Sequence, residues 1–162
     1  MCVGDMTMAH IPKRPINQFF PHVRPSDSKQ AATIVLEEFD DVANSLKIRH
    51  FFVLGTCLGM VRDKGFIRGD HDIDVGVICS NNELLELYHK LIKNGFIHGS
   101  NGTRHNFHIY KHKPYIMLDV FPLDPQEFKQ FDTVTYHGRV YHVPHPVEEY
   151  LRRHYENWRV KK

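Results

Sequence analysis

The chain has 162 residues, of which 41% are hydrophobic and 25% charged. That is the balance of an ordinary globular domain, and it excludes a mainly disordered chain. Twenty-one Lys and Arg against nineteen Asp and Glu leave +2, too even to imply nucleic acid as a partner by charge alone. The length predicts one domain, and a domain of roughly 150 residues buries about 70% of the surface its unfolded chain exposes. No apolar run approaches the roughly 20 residues that span a bilayer. The cysteines, Cys2, Cys57 and Cys79, are too few and scattered for a disulfide framework. Met1 to His10 lacks a basic stretch followed by an apolar one, so no secretory leader is expected and the cytoplasm is the expected compartment.

Residues 1–26 read as a tail. Pro12, Pro15, Pro21 and Pro25 oppose both helix and central strand. The domain is expected over 27–162. A helix over 27–47 follows, with Asp27 or Ser28 as cap and Ala31, Ile34, Val35, Phe39, Val42, Ala43 and Leu46 as its apolar stripe. Phe51 to Leu54 reads as a buried strand ending at Gly55, and Thr56 as the cap of a short helix through Arg62. Ile73 to Cys79 alternates and is β-branched, a strand. Asn81 or Asn82 is the expected cap of the next helix, which Asn94-Gly95 ends. Strands follow near 96–99, 105–111 and 115–121, with a hairpin turn at Lys113-Pro114. Strands at 132–136 and 139–143 flank a tight turn at His137-Gly138, and Pro146 opens a final helix over 146–156. The order predicts an α+β (mixed α/β) domain.

Chemistry concentrates in Phe52 to Arg62 and Gly69 to Val77. Alternation places Asp72 and Asp74 on one strand face, with Cα atoms roughly 6–7 Å apart. Two carboxylates so spaced can share a hard divalent cation or bridge a pair, as in sites for in-line phosphoryl displacement. Asp119 alone interrupts the apolar run from Tyr115 to Phe121. A buried Asp needs a partner or a metal, and beside the first strand it would complete a triad. Gly55-Thr56 leads a strand into a helix N-terminus, whose N–H groups suit a phosphate. The Thr56 hydroxyl can donate to that phosphate, and Arg62, with Lys64 or Arg68, can neutralise it.

The order of Gly-Thr turn, helix, Asp-x-Asp strand and later strand Asp resembles the nucleotidyltransferase superfamily. More narrowly it resembles the LicD/fukutin family of phosphosugar and phosphocholine transferases. Gly55-Thr56-Cys57-Leu58-Gly59 is close to the fukutin form of one motif. Val61 to Ile67 and Asp70-His71-Asp72-Ile73-Asp74 follow the LicD form, and Leu118 to Asp124 matches the third-carboxylate segment. Val143-Pro144, Glu149-Tyr150-Leu151 and Tyr155 to Trp158 resemble the C-terminal box. The resemblance implies a nucleotidyltransferase fold, a mixed sheet with helices packed on it. It implies Mg²⁺ or Mn²⁺ on Asp72 and Asp74, with Asp119 binding metal or serving as general base. Gly55, Thr56 and Arg62 would hold the donor phosphates, with Lys64 and Asp70 as further candidate substrate contacts. A phospho-alcohol such as phosphocholine or ribitol phosphate would pass from a CDP-linked donor to a glycan hydroxyl. Arg68-Gly69 and His71 depart from the family's usual Pro-Trp-Asp, a change at the donor pocket. Fukutin-type enzymes work in the secretory pathway, which would apply here were the chain a truncated form.

The 13 histidines raise zinc as a rival. On a strand, His108 and His112 would lie roughly 13 Å apart, too far to share one ion, with His105 facing the other way. His108 and Tyr110 share a face near the hairpin and are candidate substrate contacts. Two further rivals are nucleotidylation of a small molecule or protein hydroxyl, and a catalytically silent nucleotide- or glycan-binding module. Cys57, beside the phosphate turn, reads as a small packing residue.

Overall fold

Ala31, Ala32, Val35, Leu36, Phe39, Val42 and Ala43 form one buried stripe, and that stripe makes α1, Pro25–Ser45, a core helix. This computed structural model describes residues 25–70, 72–100, 107–111 and 116–161. The tail up to residue 24, the Lys113-Pro114 turn, His71, His105 and His112 lie outside the described residues. Helix α1 starts before the expected Asp27. Pro25 fits there because a first-turn residue needs no intrahelical N–H bond. It stops short of residue 47, where Lys47 takes φ of 56°.

Strand β1 is Arg49–Phe52 rather than 51–54. The chain turns early because Leu54 adopts φ of 45° and already begins α2, Leu54–Arg62. Val53, not Thr56, is therefore the N-cap of α2, and no side chain caps it. Strand β2 is Asp72–Ile78. Helix α3, Asn81–Lys93, is capped by Ser80 rather than by either asparagine. Ser80 Oγ accepts from the Glu83 N–H (3.2 Å) and Glu83 returns a carboxylate to the Ser80 N–H (2.7 Å). This reciprocal box uses the Ser-x-x-Glu spacing, which outcompetes a lone Asn. Gly95, at φ of 88°, ends the turn after α3 as expected.

Strands β3 (Phe96–Ser100), β4 (Phe107–Lys111) and β5 (Ile116–Pro122) follow. Then β6 (Phe131–Tyr136) and β7 (Arg139–Pro144) meet at His137-Gly138, both at positive φ, the backbone a two-residue hairpin requires. Helix α4 is Val147–His154, with Pro146 as its N-cap rather than inside it.

The described strands form one mixed sheet in the order β3-β4-β5-β2-β1-β7-β6. The β2–β5 and β1–β7 pairs are parallel, and the others antiparallel. Ile73, Val75 and Val77 of β2, with Ile116, Leu118 and Val120 of β5, are fully buried against α1 and α3. Helix α2 packs against β2, and on the other sheet face Phe51 packs against Phe128 and Phe131. Asp40 fastens α1 to the sheet. Its carboxylate takes His50 Nε2 (2.7 Å) from β1 and Arg139 (2.9 Å) from β7. Burial pushes the Asp40 carboxyl up, but these bonds and charges outweigh it and hold it below the usual range. Among the described residues no helix is long and apolar enough to cross a membrane.

Candidate active site

Strand alternation turns Ile73, Val75 and Val77 to the helices and so turns Asp72 and Asp74 to the opposite face. On β5 the same rule turns Asp119 that way. The parallel register then pairs Asp74 with Asp119 directly, and the antiparallel register pairs Asp119 with His108 of β4. Asp74, Asp119 and His108 thus form one row across three strands. Asp72 lies one row away, level with Met117 and Tyr110. Proximity of Asp119 to the Asp72/Asp74 strand, expected from its apolar setting, is what the register delivers.

Helix α2 closes the site from one end. The Thr56 hydroxyl accepts the Asp74 N–H (2.8 Å), and the Asp74 carbonyl accepts the Val53 N–H (3.2 Å). The Gly55 N–H donates to the Asp74 carboxylate. Asp70 accepts the Asp72 N–H (3.2 Å). A Cβ built on Gly55 would stand 3.5 Å from both Asp70 Oδ2 and Asp74 Oδ2. Glycine therefore leaves an open pit between two carboxylates.

Four acids, Asp70, Asp72, Asp74 and Asp119, share this end of the sheet. Burial pushes the Asp74 carboxyl up to about 7, and the charges of Asp119, Asp72 and Asp70 add to it, against the Gly55 N–H. Asp119 is likewise pushed up to about 7, by burial first and then by Asp72 and Asp70. Its Oδ1 is buried without a hydrogen bond. His108 Nδ1 stands 3.5 Å away, too far for a sound one. Burial keeps His108 below its ordinary range, although the Asp72 charge opposes this. As the side chains stand, no three His, Cys, Asp or Glu among the described residues form a group that could hold a metal ion.

The remaining expected residues lie elsewhere or are already engaged. Thr56 is buried and its hydroxyl serves the Asp74 amide. Of the α2 amides expected for a phosphate, Leu54 donates to the Tyr150 hydroxyl (3.0 Å) and Gly55 to Asp74. Arg62 sits at the far end of α2, roughly 10 Å along the axis from Gly55. It grips Asp63 through two bonds, of 2.8 and 3.0 Å. Lys64 donates to the Val61 carbonyl (3.1 Å). The structure thus gathers Gly55, Asp70, Asp72, Asp74, Asp119 and His108, and leaves Arg62 and Lys64 apart. Cys57 is buried, and burial pushes its thiol up to about 12, which suits packing rather than chemistry.

Leu54 and Tyr150 carried no expected role at the site. Leu54 carries the left-handed φ at the turn, which no apolar pattern reveals. Tyr150 precedes the inward Leu151 by one position on α4, and Glu149-Tyr150-Leu151 marked the C-terminal box without a role for the tyrosine. A cavity of about 780 Å³, lined by none of the four acids, is bounded by Leu54, Phe121, Leu123, Phe128, Tyr150 and Arg153.

The family model described as LicD/FKTN/FKRP, nucleotidyltransferase domain, matches residues 47–155. No curated protein matches the chain. A crystal structure of the lincosamide antibiotic adenylyltransferase LnuA, lincomycin-bound, is similar at a TM-score of 0.58 and 15% identity, covering 74% of this chain and 83% of that one. That likeness supports a nucleotidyltransferase fold. The match over residues 47–155 takes in the glycine turn, the four acids and α4, and the chain belongs to the LicD/FKTN/FKRP nucleotidyltransferase-domain family.

Proposed function

We propose that the chain is a metal-dependent transferase. It would move a phospho-alcohol, of the phosphocholine or alditol-phosphate type, from a CDP-linked donor to a hydroxyl of a glycan-like acceptor. One observation carries the reading: Asp74 and Asp119 stand at the same register of two parallel strands, both held near 7, with one Asp119 oxygen buried and unbonded. A fold gains nothing from such mutual repulsion unless a cation relieves it.

The donor set fits a hard cation. It is all carboxylate oxygen, as Mg²⁺ and Mn²⁺ prefer, and the Gly55 pit leaves room beside it. Asp74 and Asp119 would hold the ion, with Asp72 and Asp70 adding charge. When bound, the cation would supply charge neutralisation and polarisation of the phosphoryl group. The chain's own residues would do the rest. Gly55 N–H and Thr56 Oγ1 fix Asp74, so its carboxylate is oriented before substrate arrives. Asp119, or water held by it, would take the proton of the acceptor hydroxyl. That oxygen would form a bond to phosphorus as the bond to CMP breaks in line.

The test is a thermal-shift panel of CDP, CTP, UDP, ADP and GDP with Mn²⁺, on the wild type and Asp74→Asn. A ligand at 100 times its Kd stabilises by about 2.7 kcal/mol. A metal-dependent cytidine response, lost in the variant, is expected. No nucleotide response from a folded protein would overturn the reading in favour of a silent binding module. The fold likeness to an adenylyltransferase favours one second reading, transfer of the nucleotide itself. Product mass separates them, since the acceptor gains either the phospho-alcohol or a nucleoside monophosphate.

A further inference from the structure

The 780 Å³ cavity has no role in the chemistry so far described, and its size is that of a small-ligand pocket. It begins where the acids end. Phe121 follows Asp119 by two positions on β5 and so shares its face, and Leu123, Phe128 and Leu54 extend the apolar floor. Helix α4 forms the opposite wall.

Tyr150 stands at the junction. Its hydroxyl accepts the Leu54 N–H at 3.0 Å, and its own proton has no acceptor among the described residues. The ring stacks on His154 with centroids 4.3 Å apart, which fixes the hydroxyl's direction. Burial raises the phenol's pKa, and the Asp74 charge adds to this, so the group stays an O–H donor.

Charge narrows the occupant. Arg153, the cation among the lining residues, is ion-paired with Glu149, and Glu127 adds a negative charge. His145 is turned to Asp132 (2.8 Å) and His154 to the Tyr150 carbonyl (2.8 Å). Phosphates have no free cation here and belong at the acid end. The occupant is uncharged, flat enough for an apolar and aromatic floor, and polar at its edge, where Glu127, Gln130 and Glu149 offer acceptors and a donor. An alditol would leave that floor without a partner.

We propose that this cavity receives the nucleoside of the donor, with the Tyr150 hydroxyl donating to an oxygen at its ribose–phosphate end. The proposal rests on the transferase reading above, since it assumes a nucleotide-linked donor. It adds where the nucleoside lies and which residues select it.

The experiment titrates cytidine, uridine and adenosine, without metal, into the wild type and Gln130→Trp by calorimetry. It also titrates CMP into the wild type and Tyr150→Phe, with melting curves to show that each variant is folded. Gln130 is exposed, so the larger side chain fills the cavity and leaves the core alone. One nucleoside is expected to bind the wild type, and Gln130→Trp to weaken it by more than about tenfold. Tyr150→Phe is expected to weaken CMP about tenfold, the worth of one hydrogen bond to an anionic group. No nucleoside binding, unchanged binding in Gln130→Trp, or competition by choline or ribitol instead would overturn the proposal. The two failures are distinguishable. Metal-dependent nucleotide binding that survives Gln130→Trp unchanged removes the cavity assignment alone. Cavity-dependent cytidine binding, without any metal-dependent nucleotide response, removes the transferase reading and overturns the donor assignment with it, leaving a nucleoside site only.

Discussion

Asp40 and Asp74 both lie within the fold, yet their carboxyls are driven in opposite directions. Asp40 faces His50 and Arg139, and the bonds they make outweigh burial and hold it ionised. Asp74 faces Asp119, Asp72 and Asp70, and burial and repulsion together lift it to about 7. The first arrangement is complete within the chain and ties a helix to a sheet. The second gathers like charges around a buried carboxyl. Burial raises both carboxyls, so the charge of the neighbours sets the opposite directions in which the two are driven.

That contrast can be broken from either side. Asp74→Asn is expected to lower turnover by at least about 10³-fold, because it removes charge from the reacting centre. The same variant is expected to melt at or above the wild-type temperature without metal, since repulsion is relieved. Steady-state kinetics and a melting curve on one preparation check both halves. A melting point well below the wild type's would mean that Asp74 is structural after all.

Asp40→Asn should do the reverse. Weakening its bonds to Arg139 and His50 is expected to remove about 1.5–3 kcal/mol in urea unfolding, with turnover per folded molecule unchanged. Gly55→Ala sharpens the comparison further. The new methyl would make ordinary contacts at 3.5 Å with Asp70 and Asp74, so stability should hold or rise by up to about 1 kcal/mol. Manganese titration should nonetheless weaken, since the methyl fills the pit between the acids.

The smallest effect expected is one of pH. The folded-state pKa values of Asp74 and Asp119 are raised to about 7 from 3.8. Between these limits the folded chain holds protons that the unfolded chain has lost. The metal-free fold should therefore lose stability from these groups as pH rises from about 4 through about 7. Asp40, with its pKa lowered, contributes the opposite slope below about 4. A cation must displace the protons on Asp74 and Asp119, so stabilisation by Mn²⁺ should grow as pH passes about 7. Melting temperatures with and without Mn²⁺ across that range measure the difference.

The acids themselves were legible in the sequence. Alternation alone put Asp72 and Asp74 on one face, and an Asp within Ile-Met-Leu-Asp-Val-Phe marked itself as costly. Their shared register was not legible, because which strands pair depends on the crossover through α3, β3 and β4. Local competition also hid details. Ser80 takes the α3 cap because Glu83 stands three residues on, and Val53 takes the α2 cap because Leu54 turns left-handed. Arg62 looked like a phosphate ligand by proximity in sequence, but a helix of nine residues carries it to the far end, where Asp63 holds it. Tyr150 was legible only as part of the C-terminal box, and its place beside Leu54 was not, for the opposite reason, being near in space and distant in sequence.

That last distance has a consequence for synthesis. The hydrogen bond from Leu54 to Tyr150 spans 96 residues, and the acids it borders come from strands on either side of α3, β3 and β4. A chain emerging from the ribosome carries Asp72 and Asp74 into solution well before β5 can bring Asp119 beside them. The wall of the neighbouring cavity arrives later still, with α4. The candidate site is therefore unfinished until α4 has emerged, and a nascent chain halted after β2 is expected to bind neither Mn²⁺ nor nucleotide.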